Sequence, residues 1–217
     1  MLSDRNASRR PHRRARIPHH VTQRGNNRAP IFFKEGDHHV YRHMLRQQAD
    51  LNGVEVWAYC LMPNHVHLVM TPSTEDGLAR AVGETHRRYT SFVNARANRT
   101  GHLFQSRYAS VAMDEKHLWA AIRYVSLNPV RAGLVERADD WPWSSVRAHL
   151  KRMDDALVSV RPVLERVGDF ASYLVETDAR YEEAVRALRV SALSGRPLGS
   201  RAFLEDVELR LRGAAAA

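Results

Sequence analysis

Two histidines separated by one residue, His65 and His67, are the residues of this sequence whose spacing most clearly suggests a chemical function. They lie in an alternating segment, and side chains two residues apart in a strand point to the same face. Both imidazoles can therefore reach one cation while Val66 packs into the core. A histidine pair favours a borderline cation, but an oxygen ligand and open positions would let Mg²⁺ or Mn²⁺ bind. A histidine pair on the wet face of an edge strand is the alternative.

Tyr124 and Asn128 form a second candidate pair, four residues apart in a predicted helix. Residues at i and i+4 share a helix face, and both lie beside the apolar stripe of Leu118, Ile122 and Val125. The tyrosine could act as a nucleophile, and the asparagine could supply a ligand oxygen one turn away. A tyrosine that only packs on the flank of the helix is the alternative.

The hydrophobic periodicity around these residues predicts the elements that position them. In chain order they are a strand over 17–24, a helix capped by Asp37 and running to about 52, strands over 54–62 and 65–70, a helix over 74–97, a strand over 103–113 and a helix capped by Asp114. The order β-α-β-β-α-β-α predicts an α+β fold of the ferredoxin-like, split βαβ type. Its antiparallel sheet would carry helices on one face.

Changes in composition divide the chain into three parts. Residues 1–16 form a basic N-terminal arm, and residues 17–150 form the main domain. Residues 151–217 form a C-terminal helical extension, in which Gly195 to Gly199 separate two helices. We predict that this extension is an accessory region that aids recognition of the target and does no chemistry, or else a packed tail that only stabilises the core.

The charge and the cysteine content restrict the class of protein. The formal net charge is +9 and the isoelectric point is about 10.3, which favours a polyanionic partner such as nucleic acid. The single cysteine, Cys60, can form no intramolecular disulfide, so a reducing compartment fits. No apolar run reaches the roughly 18 residues of a membrane helix, so no membrane partner is expected.

Four motifs stand in register between about residues 16 and 148. They are Met62-Pro63-Asn64-His65-Val66-His67-Leu68-Val69; Gln23-Arg24-Gly25-Asn26-Asn27 followed by Ile31-Phe32; Gly101-His102-Leu103-Phe104-Gln105-Ser106-Arg107-Tyr108; and Tyr124-Val125-Ser126-Leu127-Asn128-Pro129-Val130-Arg131-Ala132-Gly133-Leu134 followed by Trp143-Ser144-Ser145. Together they resemble the HUH motif and flanking segments of the IS200-like HUH transposases (Y1 transposases), particularly the REP-associated tyrosine transposases.

The resemblance implies a role for each matched residue and a catalytic domain over 17–150. His65 and His67 match the metal-binding pair, Tyr124 the nucleophile and Asn128 the third ligand. The implied activity is a metal-dependent single-strand DNA endonuclease and transesterase. Such an enzyme cuts and rejoins DNA at hairpin-flanked sites through a 5′-phosphotyrosine intermediate. Tyr89 and Tyr108 are rival nucleophiles, and Tyr124 is preferred because of Asn128 and the family motif.

The expected partner is single-stranded or hairpin DNA, bound by a monomer or a homodimer in the cytoplasm of a bacterium, in association with the nucleoid. Arginines would follow the phosphates, while Asn and Gln side chains could read base edges. The residues predicted to contact DNA are Arg16, Arg24, Asn26, Asn27, Arg99, His102, Gln105 and Arg107. Two other functions stay open: a hairpin-binding protein that does not cleave, and a metal-dependent phosphohydrolase that uses water.

Overall fold

The computed structural model describes residues 17–176 and 179–215. The predicted basic arm, with Arg16, lies outside the described residues. The strands are β1 His19–Arg24, β2 Val54–Met62, β3 His65–Pro72 and β4 Ala109–Ala112, and the helices are α1 Glu35–Leu51, α2 Gly77–Arg96, α3 Glu115–Arg131, α4 Val146–Lys151, α5 Arg161–Val167, α6 Phe170–Val175, α7 Ala179–Ser194 and α8 Arg201–Ala215. None of the helices in the described ranges combines the length and the hydropathy needed to cross a bilayer.

The strands form one antiparallel sheet in the order β2-β3-β1-β4. Strands β2 and β3 form a hairpin around a short turn. Helix α1 connects β1 to β2, and helix α2 connects β3 to β4, so that β1 lies between β3 and β4 in the sheet. This strand order is that of the ferredoxin-like fold, so the predicted fold class is confirmed. The central strand β3 therefore has a hydrogen-bonded neighbour on each side.

Helices cover both faces of this sheet, whereas the sequence predicted them on one face only. Arg42 of α1 lies over the ring of Tyr59, which pairs with Leu68 of β3. Tyr124 of α3 packs instead against His67, which points to the opposite face from Leu68. The one-face prediction is right for α1 but wrong for α3. The physical reason is that both faces of β2 and β3 are apolar and buried, so each needs a cover.

The strand predicted over 103–113 is much shorter in the structure. Only Ala109–Ala112 form β4, which pairs with β1 from His19 to Thr22. Phe104 makes a single bridge to Gly25, the residue after β1, and Gln105 donates its N–H to the carbonyl of Arg24 at 3.0 Å. Gln105 to Arg107 are polar and exposed and have no apolar face to bury, so the chain leaves the sheet there. They form a loop beside the end of β1.

Residues 195–200 run along the free edge of β4. Leu198 donates its backbone N–H to the carbonyl of Ala112 at 2.8 Å and accepts from the N–H of Asp114 at 3.1 Å. The side chain of Asp114 also accepts from the N–H of Ser200 at 2.8 Å. These bonds hold the C-terminal extension against the domain and fix where α7 ends.

The N-terminus of α1 is tied to the C-terminus of α2 by Asp37. The sequence predicted Asp37 as the residue that caps this helix, but α1 begins two residues earlier. Its carboxylate nonetheless accepts backbone N–H groups from Phe33 at 2.7 Å and Lys34 at 3.0 Å. It also accepts a bidentate hydrogen bond from the Arg96 guanidinium, in which Nη2 of Arg96 lies 2.8 Å from Oδ2 of Asp37.

We expect Asp37→Ala to lower the free energy of unfolding by about 1–3 kcal/mol, the usual cost of losing hydrogen bonds to a charged group. Asp37 is 1% exposed, but the Arg96 side chain is 28% exposed, so water can hydrate its guanidinium once the carboxylate is gone. Hydrogen bonding from Arg96 lowers the pKa of Asp37 to about 2. The stabilisation is therefore present above about pH 4 and is lost as the pH falls toward 2.

Urea denaturation at pH 7 measures this effect. Asp50→Ala is the matched control, because Asp50 pairs with Arg46 on the exposed surface of the same helix. Exposed pairs contribute about 0–1 kcal/mol, so the control should stay close to wild type. Equal losses in the two variants would contradict the special role of Asp37.

Candidate active site

The two histidines of β3 lie on one face of the sheet, as their spacing predicts. Their ring centroids are 4.9 Å apart and the rings are nearly perpendicular, at 84°. His67 is only 5% exposed, while His65 is partly exposed at the strand's beginning. The pair sits on an inner strand under α3, so the alternative of a solvent-facing edge strand is wrong.

Helix α3 brings Tyr124 and Asn128 over these histidines. The Tyr124 ring lies 5.3 Å from the His67 ring, and Nδ2 of Asn128 lies 3.3 Å from Nε2 of His67. Pro129 does not end the helix at this point, since α3 continues to Arg131. Tyr124 and Asn128 therefore keep their helical spacing, and the structure gathers all four residues of the predicted centre in one chain.

The arrangement of nitrogen atoms fits a divalent cation. Nδ1 of His65 is hydrogen bonded to Asn64 at 2.7 Å, and Nδ1 of His67 to His20 at 3.0 Å. The Nε2 atom of each ring is then the one available to a metal, and that of His67 faces Asn128. Because an amide side chain can be turned over without changing its shape, Asn128 can offer its oxygen there. Among the described residues, no group of three or more His, Cys, Asp and Glu side chains could hold a metal, and the candidate set here has two histidines with an amide as its third member.

Burial keeps the histidines of this centre in the neutral form that binds metals. It lowers the pKa of His65 to about 4, with a further contribution from the Arg24 charge. It holds the pKa of His67 well below the usual value, reinforced by the charges of neighbouring groups. Both imidazoles are therefore neutral at pH 7, so each has one unprotonated ring nitrogen that could bind a cation.

A groove of about 1630 Å³ opens beside Tyr124 and the two histidines. Its volume is large enough for several nucleotides. Of the residues predicted to contact DNA, four line it: Arg24, His102, Gln105 and Arg107. The short length of β4 matters here, because the loop that precedes it carries three of these side chains, His102, Gln105 and Arg107, to the groove.

Three other predicted contact residues do not line the groove. Asn26 and Asn27 lie in an exposed turn directly after β1, beside the site. Arg99 lies over the ring of Phe33 at 5.1 Å and donates to Asn94 at 3.1 Å, which directs its guanidinium elsewhere. The tight turn after α2 sets this direction, and sequence spacing did not reveal it.

The rival tyrosines differ in their access to the groove. Tyr89 is fully buried and its hydroxyl donates to the carbonyl of Ile31 at 2.8 Å, so it cannot attack DNA without rearrangement of the core. Tyr108 lines the groove and is partly exposed, but burial raises the pKa of its hydroxyl. The structure places Tyr124, and not Tyr108, against the histidine pair.

Two residues of the centre were missed in the sequence. His20 of β1 is 2% exposed and bonds His67, because β1 pairs with β3 in a register that sets Thr22 opposite His67. Arg189 of α7 lies over the Tyr124 ring, with its guanidinium carbon 5.3 Å from the ring centroid. The alternation of β1 shows which face His20 occupies, but no local pattern shows which strand lies beside it.

Comparisons with known proteins identify the family and support the fold. The family described as "Transposase IS200 like" matches residues 14–128. A Haemophilus influenzae protein named as a REP-associated tyrosine transposase is 28% identical over 122 residues, which cover 51% of this chain and 69% of that protein. The solved structure of a REP-associated tyrosine transposase bound to a REP hairpin superposes with a TM-score of 0.55 at 20% identity. That match covers 66% of this chain and 85% of the other.

Proposed function

Because the chain belongs to the IS200-like transposase family, we propose that it cuts and rejoins single-stranded DNA at hairpin-flanked sites with the help of a divalent metal. The observation that carries this proposal is the position of Tyr124 against His67, at a groove that His65 also lines, with Asn128 in contact with the same His67. The related structure bound to a REP hairpin supports hairpin DNA as the partner. A cytoplasmic, nucleoid-associated location would fit this partner.

In the proposed reaction, the hydroxyl oxygen of Tyr124 attacks the phosphorus of the scissile phosphate. The new bond forms as the bond to the 3′ oxygen breaks, and the electron pair stays on that oxygen, which takes up a proton. The phenolic proton passes to water. The product is a 5′-phosphotyrosine and a free 3′-hydroxyl, and the reverse attack rejoins the strand. The chemistry of the strand exchange thus requires no external energy source.

The histidine pair and Asn128 would hold the metal, which supplies charge stabilisation at the phosphate and at the departing oxygen. His65 and His67 contribute neutral nitrogen donors, and the sheet and α3 hold them in position. Since all the proposed ligands and the nucleophile meet within one chain, we propose that a monomer contains a complete site. A homodimer would then carry two such sites.

Incubation with single-stranded, hairpin-flanked oligonucleotides and Mn²⁺ tests the proposal. Denaturing electrophoresis should show a protein–DNA adduct that survives boiling in detergent. Tight hairpin binding without cutting would favour a binding protein that has no nuclease activity. Cutting without an adduct would favour a phosphohydrolase that uses water.

His20 is expected to position His67 for the metal. A hydrogen bond to Nδ1 fixes the tautomer and the orientation of a metal-binding imidazole, and losing such a partner typically costs 10–100-fold in metal affinity. His20→Ala should therefore weaken Mn²⁺ binding by about 10–100-fold in isothermal titration calorimetry. The fold should survive, because Val21 and the rest of β1 keep their backbone pairing.

His19→Ala is the matched control for this measurement. His19 is the neighbouring residue on the opposite face of β1, where it bonds Ser110 at 2.9 Å. Its replacement should leave the Mn²⁺ dissociation constant within about twofold of wild type. Unchanged Mn²⁺ affinity in the His20 variant would rule out the positioning role.

A further inference from the structure

Helix α7 of the C-terminal extension forms one wall of the groove that holds Tyr124. Its last turns contribute Arg189, Ala192 and Leu193 to the lining. The helix is held there from its other end, where Glu182 pairs with Arg131 of α3 at 3.1 Å. It is held further along by residues 195–200 at the β4 edge. The wall is thus fixed at both ends of α7.

Arg189 has a position that differs from that of other arginines in this extension. Several of those pair with a carboxylate one turn away on their own helix, namely Arg201, Arg210 and Arg212. Within the ranges that the structure describes, no carboxylate forms an ion pair with Arg189. Its guanidinium lies over the Tyr124 ring instead, with its carbon 5.3 Å from the ring centroid, and its side chain lines the groove.

These contacts place the positive charge of Arg189 in the groove, against the ring of Tyr124. A phosphate attacked by Tyr124 must enter this groove, which His65 and His67 also line. A guanidinium donates up to five N–H bonds in a rigid plane and suits two phosphate oxygens at once. Fixed donors of this kind lower the barrier by stabilising charge on the phosphoryl oxygens in the transition state.

We propose that Arg189 is a catalytic residue that binds the non-bridging oxygens of the scissile phosphate during attack by Tyr124. This inference rests on the proposed function and extends it. It also replaces the expectation that residues 151–217 do no chemistry, because the extension would then complete the active site. The bonds made and broken are those of the phosphotyrosine reaction above, and Arg189 neither gains nor loses a proton.

The test compares Arg189→Met with Arg189→Lys under single-turnover conditions, using the hairpin-flanked oligonucleotide and Mn²⁺. Both replacements keep a long alkyl chain that can pack on the Tyr124 ring, and they differ in charge. We expect the Arg189→Met variant to form the adduct about 10²-fold more slowly than wild type, with a DNA dissociation constant changed by less than about threefold. The Arg189→Lys variant should form the adduct at least about tenfold faster than the Met variant.

Arg186→Met is the matched control, since Arg186 lies one turn earlier on α7, is exposed and does not line the groove. It should react at the wild-type rate. The inference fails if the Met variant forms the adduct as fast as wild type. It also fails if Lys is no better than Met, because the loss would then come from shape rather than charge.

Failure of the proposed function would look different. A wild-type chain that forms no adduct would overturn that function and this inference together. A wild-type chain that forms the adduct, beside an Arg189→Met variant that forms it equally well, would overturn only this inference. Circular dichroism of each variant checks that the helical content of the chain is unchanged.

Discussion

Tyr124→Phe is expected to abolish the covalent protein–DNA adduct, with a loss of the order of 10⁴-fold or more, as for other nucleophiles removed from an intact site. The substitution removes only the attacking oxygen. The ring that packs on His67 and under Arg189 stays in place, so DNA binding and metal binding should be unchanged. Denaturing electrophoresis measures the adduct, and a gel-shift titration measures the binding.

Tyr108→Phe is the control, because Tyr108 lines the same groove but lies away from the histidine pair. It should keep most of the wild-type rate. If the adduct persists in the Tyr124 variant and disappears in the Tyr108 variant, the assignment of the nucleophile is wrong. If the adduct persists in both variants, Tyr89 becomes the candidate nucleophile, although it is buried.

His67→Ala is expected to eliminate cleavage and to weaken Mn²⁺ binding by more than about 100-fold. The side chain lies at the centre of the proposed ligand set, because it contacts His20, Asn128 and Tyr124 together. Its neutral imidazole is held in position by these contacts before a metal binds, so its loss removes a preorganised ligand. Removal of the metal from wild type with EDTA should have the same effect on cleavage.

Two measurements separate this role from a general loss of structure. Titration calorimetry with Mn²⁺ reports the metal affinity without any turnover. His43→Ala, which alters an exposed histidine of α1, should leave both cleavage and metal affinity at the wild-type level. Undiminished cleavage by the wild-type chain in EDTA would show that the reaction needs no metal.

The local periodicity of the sequence was enough to predict the strand and helix order and the ferredoxin-like topology. Alternation in the β2–β3 hairpin placed His65 and His67 on one face, since side chains in a strand alternate regardless of the surroundings. Helical spacing likewise placed Tyr124 and Asn128 together. Both are short-range properties of the backbone, so they can be read without knowing what packs against them. The family motifs then assigned the chemistry.

Only the tertiary structure decided what lies opposite these residues. It put α3 on the face away from α1, shortened β4, and turned Arg99 onto Phe33. It also brought two unpredicted side chains to the centre, His20 from β1 and Arg189 from α7. Their partners are distant in the chain, and such contacts depend on strand register and on how the C-terminal extension docks at the β4 edge. The register and the docking position depend on the burial of apolar surface over the whole domain. A local sequence pattern contains no information about that burial.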